Sequence, residues 1–144
     1  MKNSAHFPQL FLRLALGIGF ILPVMDRFGW LGTPGSPTVS WGNWSVFLGY
    51  TNTLMPFLVR PLANVMAIIA TAAELVFAIM LIVGYKIKLA ATGSFLLTLV
   101  FALSMLVFAN YRAPFNYSVF AVSAASLLLA TLPAYKWSID DWKN

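Results

Sequence analysis

From Leu62 to Val83 the chain reads LANVMAIIATAAELVFAIMLIV, and the only ionisable side chain in that run is Glu74, slightly past its middle. About 20 helical residues cross the hydrocarbon core of a bilayer. A spanning segment must also satisfy its own backbone hydrogen bonds, which favours a helix. An ionised carboxylate at mid-depth costs about 2.5 to 3.5 kcal/mol on insertion scales unless a partner or a wet cavity compensates it. The run therefore demands a membrane helix with a protein-facing side, and it makes the surroundings of Glu74 the main question.

The rest of the chain agrees with a bilayer setting. Its 144 residues are 60% hydrophobic and 9% charged, far from the balance of a soluble domain. Four apolar windows, at about 8–28, 61–83, 89–109 and 117–132, predict an all-α, four-transmembrane-helix up-down bundle forming a single membrane domain over residues 1–144. The first window differs from a secretory signal. Arg13 interrupts it, and Asp26-Arg27 stand where a small-residue cleavage site would lie. It is read as a retained span.

Several chemistries are excluded. The chain has no Cys, which removes thiolate catalysis, disulfide exchange and Cys-ligated clusters. Its single His is in the N-terminal tail, so no metal site is expected inside the bundle. The net charge of +5 comes without a basic run, which argues against nucleic acid. With four spans both termini share a side. That side carries Lys2, Lys86, Lys88, Lys136 and Lys143, with Arg13 near the first helix end, whereas Arg27, Arg60 and Arg112 lie opposite. The positive-inside rule places the termini in the cytoplasm.

Along the chain, Pro23 is expected to bend the first helix. Asp26-Arg27 reads either as an interfacial ion pair ending that helix or as part of a site. In the first extracytoplasmic loop, WGNWSVFLGYTNTLMPFL places Trp44, Phe47, Leu48, Thr51, Met55 and Leu58 on one helical stripe. A short amphipathic interfacial helix is expected at about 43–58. Trp41, Trp44 and Tyr50 are its candidate interface residues, since aromatic rings favour the headgroup level; either they anchor the loop or the loop is a lid over a pocket. Asn43-Trp44-Ser45 and Asn116-Tyr117-Ser118 match the short glycosylation sequon. Small residues let helices approach closely, and they form stripes at Ala63, Ala67, Thr71 and Ala78 beside Glu74, and at Ala90, Ser94, Thr98 and Ala102. The last span is small-residue-rich through Ser118, Ala121 and Ala125. The tail AYKWSIDDWKN reads as an interfacial anchor.

Two polar groupings follow from depth. Counted from Pro8, Arg13 lies about 8 Å into the first helix, and Glu74 lies about 14 Å in from Val83. An arginine side chain closes about 6 Å of such a gap, so Arg13 is the expected partner of Glu74. That pair either fixes helix register or forms the wall of a pocket. The second grouping, at the outer end, holds Asp26, Arg27, Arg60, Asn64, Asn110, Arg112 and Asn116, flanked by Tyr111 and Tyr117. It is either the polar cap of four helices or a docking or small-molecule surface.

The runs LRLALGIGFILPVMDRFGW, WGNWSVFLGY, TAAELVFAIMLIVGYKIKLAA and APFNYSVFAVSAASLLLA resemble the DoxX family of small four-helix membrane proteins, from Leu12 to Leu132. The more specific parts are the Arg13 and Gly17 spacing followed by Asp26-Arg27-Phe28, and the A-E-L-x(5)-L-x-x-G run ending at Gly84. The resemblance implies association with redox systems at a membrane, the bacterial inner membrane, as for the DoxD-like subunit of thiosulfate:quinone oxidoreductase. It points to Arg13, Asp26, Arg27, Glu74 and the Asn116-Tyr117-Ser118 stretch. Asn116 stands where close relatives often have Asp, which weakens an acid-base role there. The expectation is a membrane subunit or accessory protein that has no intrinsic cofactor, contacts quinone through a buried Arg-Glu pair and works with a protein partner. The full set of ligand candidates is Arg13, Glu74, Asp26, Arg27, Asn64, Arg112, Asn116 and Tyr117. A non-catalytic scaffold or assembly factor, or a proton or small-molecule transporter, are the alternatives. The sequence assigns no catalytic residue and leaves self-association open.

Overall fold

The computed structural model describes residues 5–143. The described chain is all-helical: α1 (His6–Arg27), α2 (Trp44–Leu54), α3 (Arg60–Val83), α4 (Ile87–Ser104), a π turn (Met105–Ala109) that extends α4, α5 (Ala113–Asn116), α6 (Val119–Thr131) and α7 (Ile139–Trp142). Three helices are long and apolar enough to cross a membrane: α1, α3 and α4 with its π turn; α6 is a shorter apolar helix. Lys2, counted above with the basic side, lies outside the described residues.

The distribution of side chains is inverted relative to a soluble bundle. On α3 the buried residues are Ala63, Ala67, Thr71, Glu74, Ala78 and Leu81, whereas Ile68, Ile69, Val76 and Ile79 are exposed. Most of the bulky apolar groups of α3 point outward, which is stable where the surroundings are themselves hydrocarbon. The chain is an integral membrane protein, and its apolar outer face meets lipid.

Small residues set the helix pairs. Gly17 on α1 packs so closely on α3 that a Cβ there would lie 3.1 Å from the carbonyl oxygen of Ala78. Ala90, Ser94, Thr98 and Ala102 form the buried stripe of α4, as expected from their spacing. The stripe of α6 differs from the expected one. Ser123, Ser126 and Leu129 are buried, while Ser118 and Ala121 are exposed. Ser123 Oγ donates to the carbonyl of Phe95 on α4 at 3.2 Å, which fixes the rotation of α6.

The long connection between α1 and α3 folds onto the bundle. Its helix is shorter than expected because Asn43 caps it, accepting from Val46 N at 2.8 Å, and because the chain leaves helical geometry at Met55 before Pro56. Phe47, Thr51 and Leu54 are its buried face. Asn52 Nδ2 donates to Asn64 Oδ1 at 2.8 Å and ties α2 to the first turns of α3. Helix α1 continues through Pro23 to Arg27.

At the opposite end Gly84 closes α3 with φ +76°. A Cβ at that position would come within 2.7 Å of Arg13 Nη2 and 2.8 Å of Ser138 Cα. The site needs both the left-handed backbone and the missing side chain. The tail then crosses this end and ties helices together, so it does more than rest at the interface. Asp140 accepts the first amides of α4, Lys86 N and Ile87 N, each at 2.8 Å, and Asp140 N donates to Gly84 O at 3.0 Å.

Candidate functional site: a buried arginine and carboxylate beneath an aromatic lid

Glu74 meets Arg27, not Arg13. Arg27 Nη1 donates to Glu74 Oε2 in a buried ion pair and to Thr71 Oγ1 at 2.7 Å. The correction has a geometric cause. Helices α1 and α3 run antiparallel in a register that sets Gly17 against Ala78 and Ile82 and Arg27 against Thr71. Arg13 therefore lies level with Gly84, ten residues and about 15 Å along α3 from Glu74. The first two helices do not start and stop in common planes, which the depth count assumed. Beyond Arg27, α3 continues without α1 toward Arg60, and α2 packs beside it there.

The Arg27 guanidinium lies over two rings, with its carbon 4.0 Å from the centre of Phe47 and 5.2 Å from that of Trp41. Cation–π contacts of this kind strengthen when desolvated, and Arg27 is 2% exposed. Trp41 packs edge-on against Phe47 at 5.2 Å and near Tyr50 at 6.3 Å. Trp44 stacks on Phe28 at 6.0 Å. Trp41 and Phe47 thus cover the Arg27 guanidinium, while Trp44 and Tyr50 pack at the edges of those two rings. Burial, and secondarily Tyr117, hold the Tyr50 phenol above its ordinary value.

Asp26 and Arg27 are adjacent, but they serve different partners. The Asp26 carboxylate accepts from Ser40 N and Trp41 N through Oδ2, at 2.9 and 3.0 Å, and from Gly42 N through Oδ1 at 3.2 Å. It latches the returning loop, and so positions Trp41 over Arg27. Among the described residues the buried Arg27 Nε is without a hydrogen-bond partner, as is Ser94 Oγ on α4.

An apolar groove of about 210 Å³ lies on the neighbouring face of α3, lined among others by Thr51, Leu54, Ala70, Ala73, Phe101 and Ser104. Ala70 and Ala73 flank Thr71 and Glu74 in the chain, and Thr51 is one turn beyond Phe47. The groove and the charge pair thus share the walls of α2 and α3.

Arg13 belongs to a second polar centre. Its Nε donates to Leu81 O at 3.0 Å and Nη2 to Ile82 O at 3.3 Å, both carbonyls of the last turn of α3, where a cation is favourable. Nη1 donates to Lys136 O at 3.3 Å and Trp137 O at 3.4 Å in the tail. Gln9 supports it, accepting from Nη1 at 3.4 Å and donating to Lys136 O at 2.8 Å. This centre closes helix ends.

The remaining outer candidates are not drawn to the pair. Asn64 is occupied by Asn52. Arg60, Asn110, Tyr111, Arg112, Asn116 and Tyr117 are exposed, and Arg112 extends along its neighbour Tyr111, 5.7 Å from the ring centre. The expected outer grouping thus divides into an enclosed part, Asp26 and Arg27, and a surface part. Sequence reasoning missed Thr71 as a ligand of Arg27, although its place one turn before Glu74 on the small-residue stripe pointed to it. Phe47 and the amides of Ser40–Gly42 carried no comparable signal. No group of His, Asp and Glu able to hold a metal ion occurs among the described residues.

The chain matches no family model, no curated protein and no solved structure.

Proposed function

We propose that this chain is a four-span accessory subunit of a membrane redox system, with both termini cytoplasmic in a bacterial inner membrane and with quinone as its ligand. The observation that carries this reading is the leftover donor: Arg27 Nε is buried and unpartnered among the described residues, next to a carboxylate and close to an apolar groove. A quinone is an apolar ring and tail with carbonyl acceptors. Its carbonyl oxygen suits Arg27 Nε–H, and its tail suits the groove walled by Leu54, Ala73 and Phe101. The lid of Trp41 and Phe47 would shift for entry, with α2 lying along the outer interface as an amphipathic segment. Electrons would come from a partner protein, consistent with the DoxX resemblance and with a chain lacking Cys.

The test is the quinone content of protein purified in mild detergent. Near one quinone per chain is expected, falling at least severalfold in Glu74→Gln and Arg27→Lys. Arg13→Lys loosens the other end of the fold without touching Arg27, so it should retain the ligand. Folded protein free of quinone would overturn the reading.

A second reading has its own observation. Asp26 accepts three loop amides and Glu74 is paired with Arg27, which suits a rigid latch in a non-catalytic scaffold. In that case a fixed partner should co-purify with Glu74→Gln and be lost when Trp41 and Trp44 are replaced.

A further inference from the structure

The end of the fold where α3 passes into α4 gathers cations that neither arginine network uses. Lys86 and Lys143 both approach Tyr85, with Nζ atoms 5.5 and 4.8 Å from the ring centre. The nearby carboxylates are otherwise engaged. Asp141 pairs with Lys136 at 2.9 Å, and Asp140 accepts the amides of Lys86 and Ile87. Two ammonium groups beside one ring concentrate positive charge at this end of the fold, which favours an anion there.

The adjoining surface is not one that a small hydrophilic anion needs. A depression of about 260 Å³ is lined by Val83, Trp137, Ser138, Ile139 and Trp142. Trp142 is 93% exposed and Trp137 61%, an unusual state for indoles in water and a normal one at the headgroup level of a bilayer. Trp142 adjoins Lys143 in the chain and Val83 lies two residues before Tyr85, so the depression and the two lysines belong to neighbouring backbone at one end of the bundle. Cationic, aromatic and aliphatic groups occur together at the end of a membrane-embedded bundle.

We infer that this end holds an anionic phospholipid, with its phosphate between Lys86 and Lys143 over Tyr85 and its glycerol ester region in the depression walled by Trp137 and Trp142. The site is remote from Arg27 and independent of the quinone reading. Juxtamembrane lysines attract anionic lipid, and the indole walls add the apolar contact that selects a lipid over free phosphate.

The test uses full-length protein in mild detergent, titrated with phosphatidylglycerol or with phosphatidylcholine of the same acyl chains, and bound lipid is read by native mass spectrometry. The wild type should prefer phosphatidylglycerol, and the Lys86→Gln/Lys143→Gln variant should lose that preference by on the order of tenfold. Lys86→Arg/Lys143→Arg and, at the opposite end, Arg112→Gln should keep it. Equal retention of both lipids by the wild type would overturn the proposal, as would an unchanged preference in the glutamine variant or a loss in the arginine variant. Displacement of the lipid by millimolar inorganic phosphate would mark a free-anion site and overturn it as well.

Discussion

Glu74 and Arg27 are each costly alone in an apolar surround, and each makes the other tolerable. Removing one partner of a buried pair costs about 3 to 5 kcal/mol, mainly because the other is left charged and unpaired. Arg27→Met is therefore expected to be destabilised on that scale, and Arg27→Met/Glu74→Leu to recover most of the loss, measured by unfolding in detergent. Arg13 provides the control. It sits about 15 Å along α3 from Glu74, so changes at Arg13 and Glu74 should add to within about 0.5 kcal/mol. A large coupling between those two positions would contradict the register described here. The presence of a buried carboxylate was legible from one letter in an apolar run. Its partner was not, because pairing depends on how far α1 slides along α3, and that is set by tertiary contacts such as Gly17 against Ala78.

Among the elements, periodicity was informative where it was strong. The stripes on α3 and α4 repeat every three or four residues and are the buried faces. On α6 small residues occur on every side, so Ser118, Ala121 and Ala125 were as plausible as the buried Ser123 and Ser126. The loop and the tail depend on long-range hydrogen bonds to backbone, which leave little trace in sequence; Asp26 reaches amides 14 to 16 residues away. Tyr135 gives the tail a measurable property. Its hydroxyl donates to Leu129 O at 2.8 Å, and burial first, with Asp140 second, raises its ionisation above the ordinary 10.0. The neutral phenol is favoured in the docked tail. Its contribution is full below about pH 10 and is lost as pH rises through the elevated folded value. Release of the tail, read as a change in tryptophan fluorescence from Trp137 and Trp142, should occur over that alkaline range. Tyr135→Phe should remove the step, at a cost of about 1 kcal/mol for the lost hydrogen bond.

At the scale of the molecule, two polar centres divide the work. One, built on Arg27, lies within the bundle under an aromatic lid; the other, built on Arg13, binds the end of α3 to the tail. The planar fork of Arg13 serves several carbonyls together, which the single ammonium of lysine cannot do. Arg13→Lys is expected to lose about 1 to 3 kcal/mol and to free the tail for proteolysis, while leaving the fluorescence of Trp41 over Arg27 unchanged. The helical class and the apolar exterior were evident from composition. The division into two centres was not, since it requires knowing that α1 ends beside the middle of α3.

The Arg13 contacts also set an order of events. This arginine enters the membrane with the first helix, yet two of its acceptors, the carbonyls of Lys136 and Trp137, lie 123 and 124 residues later in the chain. During synthesis the helix must wait, its guanidinium turned toward water or headgroups, until the chain through Trp137 has left the ribosome. The Lys136–Trp137 segment then completes the surroundings of Arg13, and a bulky insertion placed close behind Trp142 would slow the settling of α1.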